Sequence, residues 1–331
     1  MKWREELSAE IERLRPDRVF VLTDSNVSPL FHWDGTVLVV PAGEESKSLD
    51  ILAGVWEDLS SLGATRRSLF VNIGGGVVSD LGGFAAATFK RGIRFVNVPT
   101  TLLAMSDAAI GGKTGIDFGG LKNEVGAFRM PERVIVDASW LDTLPQSQMR
   151  EGLAEVVKSA LLGSEDVYGE LLNLPETLTA HNVGHAAEWS ARFKEDVVAH
   201  DPHEKGLRRI LNLGHTAGHA FESLAARVGK PIGHGTAVAH GLLVALRLSE
   251  RLTGLTPGMA DEYKQKILNR FYSALPAECR DVPKLIGIMA HDKKNPAVGE
   301  ISFVLLRAVG EPVEAVRVDE KILLSDGCEG N

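Results

Sequence analysis

The sequence predicts an α/β domain built on a parallel sheet over residues 1–145, followed by a mostly α-helical domain over residues 146–331. Short, almost continuously apolar runs alternate with helical patterns up to about residue 140, as in strands buried on both faces. After Pro145 the strand-like runs give way to long helical patterns. A glycine triplet, Gly74-Gly75-Gly76, sits between a strand-like run and a helical one, where α/β units turn from strand to helix.

The strand-like runs are residues 18–22, 36–40, 68–73, 94–98 and 133–137, each rich in Val, Ile, Leu or Phe. Between the second and third, Ser48 to Leu62 reads as a helix. In the second half, residues 147–163, 183–200, 207–229, 234–253 and 259–273 read as helices. A late pair of strands is expected near 301–306 and 313–318.

The chain of 331 residues is long enough to bury a core without disulfide or metal staples. Its formal net charge of −8 argues against a nucleic-acid or anionic-membrane binder. A small anion can still be held by a local group of cations. The two cysteines, Cys279 and Cys328, suit a reducing compartment and exclude a cysteine-based zinc ribbon. The first residues carry charges without an apolar core, and no uncharged apolar run approaches the ~20 residues of a membrane span. A cytoplasmic location is expected.

The glycine triplet permits either a plain tight turn or a phosphate cradle at a helix N-terminus. Its spacing is not G-x-G-x-x-G. Farther on, Gly111-Gly112-Lys113-Thr114-Gly115 looks like the end of a P-loop, but Asp107 stands where the upstream glycine would be. Lys113 and Lys122 lie in this glycine-rich stretch beside Asp107 and Asn123, a composition that points to anion recognition.

His215 and His219 are four apart in Leu211-Asn212-Leu213-Gly214-His215-Thr216-Ala217-Gly218-His219-Ala220, so on one helix they share a face. His234 follows in Gly233-His234-Gly235, and Glu155 and Lys158 lie three apart upstream. One carboxylate and two imidazoles would make a three-ligand zinc site with an open position. Spacing alone selects His215 with His219 as the imidazole pair. Lys194, Glu204, Arg208 and Asn212 cluster nearby in sequence, and His291-Asp292-Lys293-Lys294-Asn295 comes late.

Taken together, the segments 74–84, 90–95, 99–104, 111–115, 122–128, 152–158, 211–220, 234–239 and 292–295 resemble the 3-dehydroquinate synthase family. The motifs run in one order from about Asp24 to Leu306. The resemblance implies a Rossmann-like NAD-binding domain followed by a metal- and substrate-binding helical domain. It implies conversion of 3-deoxy-D-arabino-heptulosonate 7-phosphate to 3-dehydroquinate and phosphate, in the shikimate pathway of aromatic amino acid biosynthesis. The steps implied are transient oxidation by NAD, phosphate elimination, return of the hydride and intramolecular aldol closure. A homodimer is implied as well.

By the same resemblance, Glu155, His215 and His234 hold Zn2+, or Co2+ in its place, and His219 becomes a proton-transfer or substrate-contact residue. Glu204 matches a second proton acceptor. Lys113, Asn123, Lys158, Lys194, Arg208, Asn212 and one of Lys293 and Lys294 match substrate-binding positions. Arg91 matches one that a neighbouring subunit can supply. Asp24, Asn26, Glu44, Lys47, Gly75, Gly76 and Val77 match NAD-contact positions, as do Asp80, Thr100, Thr101, Asp107, Lys122 and Thr143. Asp107 can also reach substrate.

The family commonly has Glu after the His-Gly of the third ligand motif, where this chain has Thr236. The stretch between His219 and His234 is slightly longer than in many relatives, with Gly229-Lys230-Pro231 in the extra loop. Ser106 stands where an apolar residue is frequent, and Pro202-His203 replaces a more usual charged pair. Two other activities fit the same pattern: a cyclase of a neutral heptulose phosphate or an amino sugar, and a metal-dependent polyol dehydrogenase. Lys194, Arg208 and Asn212 favour a carboxylated substrate over the first. Net NADH accumulation would mark the second.

Overall fold

The computed structural model describes residues 2–290 and 301–324. The chain folds as two compact units. One takes the residues up to Pro145 together with Ala187–Glu195; the other takes Gln146–Ala186 and the residues from Asp196 onward. Among the described residues no helix is long and apolar enough to cross a membrane.

The first unit opens with α1 (Lys2–Leu14), then β1 (Val19–Asp24), β2 (Thr36–Val40), α2 (Leu49–Ser61), β3 (Leu69–Gly74), α3 (Gly76–Thr88) and β4 (Arg94–Pro99). It closes with the hairpin β5 (Lys113–Phe118) and β6 (Leu121–Phe128) and the short β7 (Arg133–Val134). Strands order as β2-β1-β3-β4-β7, every pair parallel. Every residue of β3 is buried, Asn72 included, which explains its almost continuous apolar run. Ser48 caps α2 by accepting from Ile51 N, and Leu52, Val55 and Leu59 bury one face against the sheet. Helix α3 settles onto β3 because Gly82 has no side chain: a Cβ there would come 2.0 Å from Asn72 Oδ1.

The glycine-rich segment whose composition points to anion recognition leads into an antiparallel hairpin. Gly115 and Gly126 are partners in it, and a Cβ on Gly126 would lie 2.2 Å from Thr114 O. The glycines therefore serve strand approach, and they hide the strand signal. The opening helix α1 buries Trp3, whose backbone N–H donates to Asp137 Oδ2 at 3.0 Å.

The second unit carries α4 (Gln146–Gly163), α5 (Glu165–Leu172), α6 (Ala180–His200, shared with the first unit), α7 (His215–Arg227) and α8 (His234–Leu252). One continuous helical run follows, α9 (Met259–Tyr263) and α10 (Asn269–Phe271) joined through a π-helical turn. The last elements are α11 (Val282–Ala290), the antiparallel pair β8 (Ser302–Ala308) and β9 (Glu311–Arg317), and α12 (Glu320–Ile322).

The expected single helix over 207–229 is two pieces. Residues Leu207–Asn212 form a 3-10 turn, and Gly214 breaks the chain with φ +78° before α7 begins at His215. A left-handed residue ends one helical turn and resets the direction of the next. Helices α7 and α8 cross closely at glycines. A Cβ on Gly241 would lie 2.0 Å from Gly214 O, and one on Gly218 would lie 3.1 Å from Ala237 O. This crossing brings together the helices that carry the three histidines.

Candidate active site

In the first unit, the candidate nucleotide residues gather at the carboxyl ends of the strands, where open α/β sheets bind ligands. Gly74 ends β3 and its carbonyl accepts from Thr100 N at 2.9 Å, so the glycine turn and the Thr100-Thr101 turn are adjacent. Gly75 precedes α3 with no side-chain cap, leaving first-turn N–H groups for an anion. A Cβ on Gly75 would meet Thr101 Cγ2 at 3.0 Å, and one on Gly76 would meet Ala108 Cβ at 3.1 Å. The bare backbone here is a cradle of the kind a pyrophosphate needs, so the residues fit NAD.

Lys47, 4% exposed, donates to Asp80 Oδ2 at 2.9 Å and to Asn123 Oδ1, and lies 3.6 Å from Glu44. Burial pushes the Asp80 carboxyl up to about 6, against the pull of Lys47; Lys47 itself is raised because its carboxylate neighbours outweigh its own burial. Asp24 Oδ1 accepts from Asn26 N and Val27 N, and the Thr143 hydroxyl donates to Trp140 O, so these two side chains shape their own turns. Lys194 donates to Asp107 O at 2.7 Å and to Oδ1 at 2.5 Å. Val77 and Thr101 are partly buried, while Asn26, Lys113 and Lys122 are exposed. Arg91 is exposed on a backbone with φ +67°.

In the second unit, α4 presents Glu155, fully buried, towards the first turns of α7 and α8. Glu155 Oε1 lies 3.4 Å from His215 Nε2 and 3.2 Å from His234 Nε2. Candidate ligand atoms of the three residues all lie within 4.8 Å of one another. The far ring nitrogens are held too. His215 Nδ1–H donates to Leu213 O at 3.1 Å, and His234 Nδ1 faces Glu222 Oε2 at 3.4 Å. Because a carbonyl only accepts, His215 Nδ1 carries a proton, and Nε2 is the nitrogen turned towards Glu155. Metal-binding histidines are commonly oriented in this way.

Glu155 Oε2 sits in an ion pair with buried Lys158 but has no hydrogen bond of good geometry, an uncommon state for a buried oxygen. Burial alone would raise the Glu155 carboxyl; Lys158 and His215 hold it well below the usual range. Burial and the charge of Lys158 lower His215, while at His234 the two carboxylates overcome burial and push it up to about 10. Two imidazoles and an ionised carboxylate, with Glu155 and His215 buried and His234 partly so, fit a zinc-type ion, the imidazole proton leaving as the ion binds.

His219 stands beside this group without joining it, its ring 5.3 Å from His215 and 6.2 Å from His234. Glu204, Arg208 and Asn212 come together on the loop before α7. Asn212 Nδ2 donates to Glu204 Oε1 at 3.1 Å, and buried Arg208 donates to Pro202 O. Asp201 organises this loop by accepting from the N–H groups of Lys205, Gly206 and Arg208. Lys293 and Lys294 lie outside the described residues. Sequence reasoning missed Glu151 and Glu222. Each shares a helix face with a candidate ligand, Glu151 four residues before Glu155 and Glu222 seven after His215. That spacing is the signal that could have found them.

A parallel sheet with a glycine cradle at its strand ends is joined in one chain to a helical unit with a two-histidine, one-carboxylate group, the two-domain class in which sugar-phosphate cyclases are found. The 3-dehydroquinate synthase N-terminal family model matches residues 37–151, and the 3-dehydroquinate synthase C-terminal model matches residues 152–295. A 3-dehydroquinate synthase of Parabacteroides distasonis is 42% identical over 330 residues, covering 96% of this chain and 92% of its own. One of Thermococcus kodakarensis is 41% identical, covering 94% and 89%. Among solved structures, 2-deoxy-scyllo-inosose synthase complexed with carbaglucose-6-phosphate, NAD+ and Co2+ superposes with a TM-score of 0.82 at 26% identity, covering 99% of this chain and 94% of that one. The chain belongs to the 3-dehydroquinate synthase family.

Proposed function

We propose that the protein converts 3-deoxy-D-arabino-heptulosonate 7-phosphate to 3-dehydroquinate and phosphate, as a carbon–oxygen lyase using NAD and a divalent metal, zinc or cobalt. The observation that carries this reading is the convergence of Glu155, His215 and His234, each histidine with its far nitrogen already engaged, in a chain of this family. When bound, NAD takes up and returns a hydride, and the metal polarises the substrate oxygens.

The chain's own residues do the rest. Gly75, Gly76 and Val77 offer backbone to the pyrophosphate, with Asp24, Asn26, Glu44 and Lys47 around the nucleotide. Asp80, Thr100, Thr101, Asp107, Lys122 and Thr143 complete its contacts. His219 and Glu204 move protons at the substrate. Lys113, Asn123, Lys158, Lys194, Arg208 and Asn212 bind its phosphate, carboxylate and hydroxyl groups, with Lys293 or Lys294. Arg91 acts from the second subunit of a cytoplasmic homodimer. Each close charge pair contributes about 1–4 kcal/mol depending on its dielectric surroundings, so a few of them select a doubly anionic substrate despite the overall acidity.

The test is phosphate release by purified protein with NAD and zinc, with and without a chelator. Release from the carboxylated heptulosonate phosphate, abolished by the chelator, is the expected result. Release only from a neutral sugar phosphate would assign the chain to another cyclase.

A further inference from the structure

Helix α8 begins at His234 with Gly233 as its N-cap, and Gly233 has no side chain to satisfy the first-turn N–H groups. Those groups still find an acceptor, on another helix. Glu151 of α4 accepts from Gly235 N through Oε2 at 2.6 Å, with Thr236 N at 3.4 Å from the same oxygen. Its other oxygen accepts from the Thr236 hydroxyl at 2.7 Å. A carboxylate at a helix N-terminus satisfies orphan donors and meets the positive end of the helix dipole.

The two glycines flanking His234 make room for this contact. A Cβ on Gly233 would fall 2.3 Å from the Glu151 carboxylate, and a Cβ on Gly235 would fall 2.0 Å from the Glu151 backbone oxygen. Glu151 is thus seated on both sides of His234. One turn later on the same face of α4, Glu155 meets His234 Nε2. The two carboxylates of α4 have separate duties: one grips the backbone around the imidazole, the other faces its ring.

We propose that Glu151, through Thr236 and the Gly235 amide, is a positioning residue that fixes His234 for metal binding. The carboxylate next to the third ligand motif is then supplied by α4, and Thr236 is its hydroxyl partner. The proposal rests on the reading of Glu155, His215 and His234 as metal ligands. It needs no contact between Glu151 and the metal or substrate.

The test is zinc affinity, measured by competition with a chromophoric chelator, for the full-length protein and the variants E151A, E151Q, T236V and H215A, with thermal midpoints recorded in excess chelator. Loss of an outer-shell partner typically weakens metal binding roughly 10- to 100-fold, and E151A is expected in that range. E151Q, whose amide oxygen still accepts from Gly235 N, should stay within about threefold of the wild type. T236V keeps the shape and removes one hydrogen bond, and should weaken zinc about fivefold, so it decides the matter if E151A does not fold. A lower thermal midpoint for E151A with wild-type zinc affinity, or a T236V protein with unchanged affinity, overturns the proposal. If H215A also binds zinc like the wild type, the metal reading falls and the proposal falls with it. If H215A loses zinc while E151A keeps it, only the positioning role falls.

Discussion

Lys194 closes on Asp107 twice, through the backbone carbonyl at 2.7 Å and the carboxylate at 2.5 Å. These residues are 87 positions apart, and Lys194 lies in the one stretch of α6 that packs with the first unit. A lysine only 6% exposed is held in a single position by this pair. Replacing Lys194 with Met should lower kcat/KM by roughly 10- to 100-fold, the worth of one charge-assisted hydrogen bond, with zinc content unchanged. Steady-state kinetics beside metal analysis checks this.

The ligand set separates histidines that spacing alone would pair. His215→Ala should abolish phosphate release and stoichiometric zinc. His219→Ala should retain zinc while losing about 100-fold or more in turnover, the scale of general acid–base catalysis. Metal analysis of the two purified variants is the check. Loss of zinc from His219→Ala would restore the simple i,i+4 pair.

Asp80 carries a pH signature. Its folded-state value of about 6 lies above the ordinary 3.8, so the native protein binds a proton that the unfolded chain has released. The resulting stabilisation is complete below about pH 4 and is lost as the pH rises to about 6. Urea unfolding of the wild type and Asp80→Asn at pH 4.5 and 6.5 should show the wild type losing more stability over that interval. Parallel changes in the two proteins would contradict the assignment.

The α7–α8 crossing leaves no room at Gly241, where a Cβ would meet backbone rather than a movable side chain. Gly241→Ala should cost about 3 kcal/mol and weaken zinc binding as well, since the helices it forces apart carry His215 and His234. Thermal unfolding and zinc competition measure the two effects.

Much of this architecture is readable from local signals. The apolar run of β3, the Ser48 cap of α2 and the late strands β8 and β9 follow from composition and periodicity. The hairpin at 113–128 escapes because Gly115 and Gly126, which let its strands approach, look like loop residues. Gly214 inside an apolar helical pattern conceals a break that only its left-handed backbone reveals. The contacts Glu151–Gly235 and Lys194–Asp107 join residues more than 80 apart, and no periodicity within one helix encodes such pairs. The ligand choice shows the same limit. Spacing joins His215 to His219, whereas the turn at Gly214 and the α7–α8 crossing bring His234 to Glu155.

The most direct test of the central claim is the ratio of phosphate released to NADH accumulated, followed in one reaction containing the protein, NAD, zinc and 3-deoxy-D-arabino-heptulosonate 7-phosphate. A hydride that is borrowed and returned within each turnover gives steady phosphate release with almost no NADH. NADH accumulating in step with substrate consumption, without phosphate, would contradict the account and make the protein a dehydrogenase.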